Sequence, residues 1–299
     1  MKKIVSHLAP RHMDDFLAIS LLSYLYPDAQ REYVHPQKVA EEYLEDPSII
    51  LVDVGSDYDT GKNNYDHHHD LSLECSLSLV VQKFFPELYP SQVLKAIDIT
   101  DRFGIKKAVE EGLVSFDKQV DEKRKIILMT EPDQEAGRVA YKLLSYAKEV
   151  NLDHNTFIKM LYESMRVLGL TQKAEEELRR QREEYERKLS TVVWKDIEGF
   201  KVAISYESLA PYHADFFSQT QADILIEQNS MNKEHTSIIV NTNKTHKDRA
   251  IEVADKLAGQ EEIVFRHATG FIRVINKSVE DFKAGIPEEP AVKRFKMRM

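Results

Sequence analysis

Short aliphatic runs alternate with stretches of helical periodicity along the N-terminal part of the chain. Ile4-Val5 lies in a strand predicted over residues 3–6, and Asp14 to Tyr26 follows with apolar residues at Phe16, Ile19, Leu22 and Leu25, a helical spacing. Pro27-Asp28 ends that helix. Glu32-Tyr33-Val34 reads as a second strand and leads through Pro36 into a helical stretch, Gln37 to Leu44. Ile49-Ile50-Leu51-Val52-Asp53-Val54 is apolar on both faces, as a strand inside a parallel sheet must be. Such alternation predicts βαβ units and a doubly wound sheet. Ligands of these sheets collect outside the carboxyl ends of the strands. His7, Asp53 and the 66–69 run all stand at such ends.

Helical patterns continue over Leu77 to Phe85, Pro90 to Asp101, Asp133 to Val150 and His154 to Leu168. Thr171 to Leu189 is highly charged, with Glu175-Glu176-Glu177 and Arg179-Arg180-Gln181-Arg182-Glu183-Glu184. Acids and bases at helical spacing predict a solvated linker helix, not a nucleic-acid-binding arm. The character changes at Val192. Strands are expected at Val192-Val193-Trp194, Phe200 to Ile204 (turning around Gly199), Ala222 to Ile226, Thr236 to Val240 and Ile263 to Phe265. Helical pieces lie between them at Tyr212 to Gln219 and Arg249 to Leu257. The expectation is two α/β domains, residues 1–188 with the linker helix and a smaller one over residues 189–299.

A chain of 299 residues can bury two cores. No apolar run approaches the roughly 20 residues that span a bilayer, so no membrane partner is expected. The short basic start, with no long apolar segment behind it, gives no reason to expect a signal peptide. Cys75 is the single cysteine, which excludes an internal disulfide framework and suits a reducing, cytoplasmic compartment. The net charge of −9 argues against a general binder of long nucleic acid. It leaves room for a short anionic substrate held by metals and a few basic groups. Lys293, Arg294, Lys296 and Arg298 read as a solvated basic terminus.

Asn64-Tyr65-Asp66-His67-His68-His69-Asp70 concentrates the candidate chemistry. Three successive histidines cannot all be core residues, because neighbouring strand side chains alternate faces. Upstream, His7 is followed by His12, Asp14 and Asp15; downstream, Asp98 and Asp101 share a helical face. Each group alone has a bland explanation. Asp14 could be a helix-start acid, Asp53 a turn cap, residues 66–69 a polar surface loop, and Asp98 and Asp101 surface acids. Together, imidazoles and carboxylates at several strand ends suit Mn²⁺, Zn²⁺ or Fe²⁺ better than Ca²⁺. Two such ions about 3.5–4 Å apart clamp the attacking and leaving oxygens of a phosphoryl displacement. Asp53 is the natural carboxylate to share between them.

The order of these motifs resembles the DHH phosphoesterase superfamily, most closely its Myg-type (UPF0160-like) branch, whose eukaryotic members act as 3′-to-5′ RNA exonucleases. His7, His12 and Asp14 match that branch's His-x₄-His-x-Asp, where most relatives have His-x₃-Asp-x-Asp, so that His12 replaces a carboxylate. Val52-Asp53-Val54-Gly55, Tyr65-Asp66-His67-His68 and Asp98-Ile99-Thr100-Asp101 are similar to the next three motifs. Arg102-Phe103-Gly104 is one residue longer than the usual Asn-Gly. Phe265-Arg266-His267-Ala268-Thr269-Gly270-Phe271-Ile272 and Asn276-Lys277-Ser278 resemble segments of the superfamily's C-terminal, DHHA1-like domain. Between residues 105 and 260 only Glu135 to Ala140 can be quoted.

The resemblance implies a binuclear centre, with His7, His12 and Asp53 on one ion and Asp14, Asp53, His67 and Asp101 on the other. Two divalent ions are expected, Mn²⁺ first, with Mg²⁺, Zn²⁺ or Fe²⁺ as alternatives. His68 would face the scissile phosphate and Asp66 would orient an imidazole. His267, with Arg266, Gly270 and Lys277, would bind substrate. The expected activity is a metal-dependent phosphodiesterase, a 3′-to-5′ exonuclease on short RNA or oligonucleotides using a metal-activated hydroxide. Alternatives on the same site are a pyrophosphatase or polyphosphatase, a cyclic-dinucleotide phosphodiesterase, or a non-catalytic metal or nucleotide binder. A homodimer is compatible with the sequence. Phe271 and Tyr212 could stack bases or pack in the core.

Overall fold

In the computed structural model, residues 2–8, 11–35, 38–230, 232–259, 263–266 and 272–280 are described. The chain divides into two units, Met1–Leu178 and Arg179–Met299.

The aliphatic runs of the first unit become strands β1 (Lys3–His7), β2 (Gln30–Val34) and β3 (Ile49–Val52), joined by the two-residue strands β4 (Tyr58–Asp59) and β5 (Asn64–Tyr65). Their order in the sheet is β2-β1-β3-β5-β4. β2, β1, β3 and β5 run parallel, while the edge strand β4 pairs antiparallel with β5. All of β3 is buried, as its uninterrupted apolar sequence requires. Ile4, Ile50 and Val52 face the principal core, whereas Val5, Ile49 and Leu51 face a smaller cluster with Tyr43 and Leu44. That smaller face is covered by the five-residue α2 (Glu41–Glu45), shorter than the helix predicted from Gln37.

The opposite face carries the helical layer: α1 (Met13–Leu25), α3 (Ser76–Phe84), α4 (Gln92–Phe103), α6 (Lys118–Met129), α7 (Gln134–Val150) and α8 (His154–Val167). The short α5 (Ile105–Glu110) connects α4 to the segment before α6. α1 is buried from Met13 through Ser23. A helix apolar all round belongs in the interior, and α1 lies there with α7 packed against it. Ala136, Ala140, Leu144 and Ala147 recur along the buried face of α7. A Cβ added to Gly137 would lie 1.9 Å from the Ser20 carbonyl oxygen, so only glycine permits this approach. Side-chain caps start several of these helices: Asp133 accepts from the Ala136 N–H at 2.9 Å and Asp153 from the Thr156 N–H at 3.0 Å.

The charged segment forms α9 (Gln172–Ser190), and the division between the units falls within it. In the second unit, β6 (Val193–Ile197) and β7 (Phe200–Ser205) form the hairpin expected around Gly199. β8 (Ile224–Gln228), β9 (Thr236–Val240), β10 (Ile263–Arg266) and β11 (Ile272–Ile275) complete a six-stranded sheet, ordered β10-β11-β9-β8-β7-β6. β7 and β8 are parallel and the other pairs antiparallel. α11 (Lys247–Ala258) contributes to the core on one face, and α10 (His213–Thr220) with Tyr185 of α9 to that on the other. The rings of Tyr212 and Tyr185 lie 4.9 Å apart beside that second core, so Tyr212 is a packing residue. Phe271 and the basic residues from Lys293 to Arg298 lie outside the described residues. Among the described residues, no helix is long and apolar enough to cross a membrane.

Gly137→Ala should lower stability by about 2 kcal/mol, because overpacking against a backbone carbonyl exceeds the gain in helix propensity. A urea midpoint equal to that of the wild type would show that α1 and α7 are free to separate.

Candidate metal centre

The carboxyl ends of β1, β3 and β5 deliver His7, Asp53 and the Asp66-His67-His68 run to one edge of the first unit's sheet. Asp53 leaves β3 in the left-handed region, at φ 59°, and its N–H donates to the Tyr65 carbonyl at 3.1 Å. Aspartate tolerates that region better than most residues, and the local cost is of the kind stored at functional sites. His12 stands at the N-cap of α1. The Asp15 carboxylate accepts from the His12 N–H at 2.7 Å and the Phe16 N–H at 2.8 Å through Oδ1, which leaves Oδ2 to face the strand ends. Asp101 projects from α4 and Ser76 from the start of α3.

These side chains converge. His7 Nε2 lies 3.2 Å from both Asp15 Oδ2 and Asp53 Oδ2. His67 Nε2 lies 3.3 Å from Asp53 Oδ1 and 3.1 Å from Asp101 Oδ2, and His12 Nδ1 lies 3.2 Å from Asp101 Oδ1. Ser76 donates to Asp53 Oδ1 at 3.0 Å. Two donors about 2.1 Å from one cation stand roughly 3.0–3.4 Å apart at right-angled to tetrahedral geometry, the range of these separations.

The hydrogen bonding supports the fit. Both Asp14 oxygens and His67 Nδ1 are buried without a hydrogen-bond partner, and Asp15 Oδ2 and His67 Nε2 meet only the ionic contacts just given, without hydrogen-bond geometry. Leaving such groups unpaired is costly, and a bound cation would remove the cost. His7 donates from Nδ1 to the Leu8 carbonyl at 2.7 Å, which fixes its tautomer and frees Nε2 as a ligand. His12, Asp14 and Asp101 form one set whose ligand atoms lie within 4.8 Å of one another, and Asp53, His67 and His68 form another. The protein therefore carries imidazole and carboxylate groups able to bind a divalent metal.

Electrostatics follow from this crowding. Contact with Asp53 outweighs burial and pushes His7 up to about 9. Burial would lower His67, but Asp101 and Asp53 overcome it and raise it to about 9 as well. Burial raises the Asp53 carboxyl, yet the imidazoles of His67 and His7 hold it well below the ordinary value. Asp101 is likewise held at about 2, burial being outweighed by His12 and His67. Asp14 moves far upward through burial, with the charges of Asp53 and Asp101 adding to it. Burial raises Asp15 to about 6 against the pull of His7.

His7, His12, Asp14, Asp53, His67, His68 and Asp101 thus meet at one place, with Asp66 beside them. The atoms sort differently from the ligand sets that the resemblance implies: His12 joins Asp14 and Asp101, and Asp15 stands against His7 and Asp53. Asp15 and Ser76 were not predicted as site residues. Asp15 had one signal, its place three residues after His12, the spacing of a capping box. Asp66 holds His68: its Oδ1 lies 2.7 Å from His68 Nδ1, and its Oδ2 accepts from the Ser56 N–H at 2.7 Å. Asp98 is a brace instead. Its carboxylate accepts from the Cys75 N–H at 2.7 Å and from Arg102, whose Nη1 donates to the Leu71 carbonyl at 2.9 Å. His69 is exposed. In the second unit, Arg266 pairs with Asp255 at 2.5 Å and the Lys277 carbonyl accepts from Thr236 at 2.7 Å. His267 and Gly270 lie outside the described residues.

Raised to about 9, His7 and His67 hold protons at pH 7 that an entering cation must displace, and Asp15, raised to about 6, is half-protonated near pH 6. Mn²⁺ affinity should therefore rise with pH from 6 to 8, by about tenfold per pH unit for each proton displaced. Calorimetry in buffers of different ionisation enthalpy should show the protons released. Affinity independent of pH over that interval would remove these imidazoles from the ligand set.

Residues 3–79 match the family model MYG1_exonuc, described as an uncharacterised protein family (UPF0160). No curated protein matches the sequence. The matched segment is similar to that family over the part of the chain that supplies His7, His12, Asp14, Asp15, Asp53, Asp66, His67 and His68.

Proposed function

We propose that this chain is a metal-dependent phosphodiesterase of the DHH type, removing nucleotides from the 3′ end of short RNA or oligonucleotides. The observation that carries this reading is the convergence of carboxylates and imidazoles at the strand ends, several of them buried without a hydrogen-bond partner. The name of the matched family, which points to exonuclease activity, agrees with it.

On this reading His7, Asp15 and Asp53 would hold one divalent ion, and His12, Asp14, His67 and Asp101 a second, with Asp53 between them. Such ions, Mn²⁺ first among them, supply Lewis acidity that neutralises phosphate charge and acidifies water. The chain supplies the rest. Asp53 is fixed by Ser76 and by its own backbone, so its two oxygens point apart, one toward His7 and the other toward His67. His68 is more than half exposed and is raised by its bond to Asp66. It can present a proton to a phosphate oxygen and stabilise the charge that develops there. His267, Gly270, Arg266 and Lys277 are assigned to substrate binding through the resemblance of their segments. The acidic balance of the chain favours short substrates over long ones.

Mononucleotide release from a 3′-labelled short RNA should depend on Mn²⁺ and stop on chelation. Asp53→Asn should cut it by roughly 100-fold or more, and His68→Ala by a similar factor with Mn²⁺ affinity retained. Turnover within tenfold of wild type in Asp53→Asn would rule out this centre as the catalytic one.

A further inference from the structure

A cavity of about 840 Å³ opens from His12, Asp14 and Asp101 into the helical layer of the first unit. It runs beneath α4 and α5, along α6, and reaches the start of α8. Its size falls in the range of about 300–1,000 Å³ that encloses small organic ligands. Ile97, Ile105, Val114, Val120 and Leu128 make its walls largely apolar. Two buried polar side chains, His154 and Asn155, line the part farthest along the chain from the metal ligands. Asn155 is anchored by donating to the Ser115 carbonyl at 2.9 Å and to the Ser115 hydroxyl oxygen at 2.8 Å. Phe116 also lines the cavity, yet it is 71% exposed, an aromatic ring without a core to fill.

The charges say which ligand this space suits. Of the cations lining it, Arg124 is held by Asp121 at 2.5 Å, Arg11 is turned to the Thr130 carbonyl at 3.1 Å and to the face of Tyr33, and Lys118 stands exposed. Asp117 and Asp121 stand on the same walls. A pyrophosphate or polyphosphate chain would meet largely apolar walls there, with Asp117 and Asp121 set among the cations. A flat, mostly apolar group with hydrogen-bonding edges would meet an aromatic face, the anchored Asn155 and the buried His154.

We propose that this cavity receives the nucleoside of the nucleotide undergoing cleavage, its base on Phe116 and its phosphate end toward His12, Asp14 and Asp101. The placement of the phosphate rests on the phosphodiesterase reading; the nucleoside preference rests on the cavity alone. It makes a nucleotide, and not inorganic pyrophosphate or polyphosphate, the substrate class of the site.

The test is equilibrium binding of adenosine, AMP and inorganic phosphate to the full chain, with Mn²⁺ and again with chelator. Wild type, Phe116→Ala and Phe116→Trp would be compared. AMP should bind at least about tenfold more tightly than phosphate. Phe116→Ala should weaken adenosine and AMP by between about 5-fold and 150-fold, the span of aromatic–base stacking. Phe116→Trp should restore them, and phosphate affinity should not change. An equal urea midpoint would show that this exposed truncation leaves the fold intact. AMP binding no tighter than phosphate, or unaltered in Phe116→Ala, overturns the proposal even if Mn²⁺-dependent turnover is found. Phe116-dependent adenosine binding in a protein that neither binds Mn²⁺ nor turns over a phosphodiester upholds the cavity and defeats only the catalytic reading.

Discussion

Asp14, Asp15, Asp53 and Asp101 crowd their carboxylates into one largely buried place, and the arrangement of the first unit follows from having to hold them there. Like charges so close, stripped of water, repel and resist ionisation. The protein meets this in two ways. Imidazoles enter between the carboxylates: His7 between Asp15 and Asp53, His67 between Asp53 and Asp101. Where burial dominates, as at Asp14, the carboxyl is driven toward its neutral form, and the charges of Asp53 and Asp101 add to the effect. Neither solution fills the space as a divalent cation does, since a single +2 charge satisfies several oxygens at once.

Holding such a cluster needs a rigid frame, and the sequence provides it in apolar surface. α1 is buried along nearly its whole length, so the position of Asp14 and Asp15 at its first turn is fixed by the core and not by the loop before it. The close approach of α7 at Gly137 seats that helix from the other side. β3, buried on both faces, fixes the point at which Asp53 leaves the sheet. Asp98 and Arg102 tie α4 to the 71–75 segment, and Asp101 follows three residues after Asp98 on the braced helix. Strain at Asp53 is tolerable because elements on every side already determine its place.

Much of this was legible from residue patterns. Aliphatic runs located β1 and β3, and ligand-type residues at their ends predicted convergence. What stayed hidden had physical causes. Asp15 looks like an ordinary helix-start acid because it is one; its second oxygen gains a further role only when β1 and β3 come alongside. Asp98 and Asp101 share a helical face, so spacing could not separate ligand from brace. Arg102, four residues beyond Asp98, carried the clue, since that spacing favours an ion pair. α6 shows no helical period because, apart from Val120, its apolar residues are bunched from Ile126 to Met129 behind a run of charges. The first unit's strands β4 and β5, of two residues each, leave no pattern at all.

The burial of the four nearest imidazoles gives the centre a direction. The side chains of His7 and His67 are 11% and 5% exposed, whereas those of His12 and His68 are 59% and 57% exposed. The sheet therefore seals one side, and anything that reaches the carboxylates must come from the side of His12 and His68. The cavity lined by His12, Asp14 and Asp101 begins at the more exposed of these imidazoles. On the proposed reading, charge at the carboxylates and the apolar surface of the cavity would act on different parts of one ligand, as a nucleotide requires and a bare anion does not.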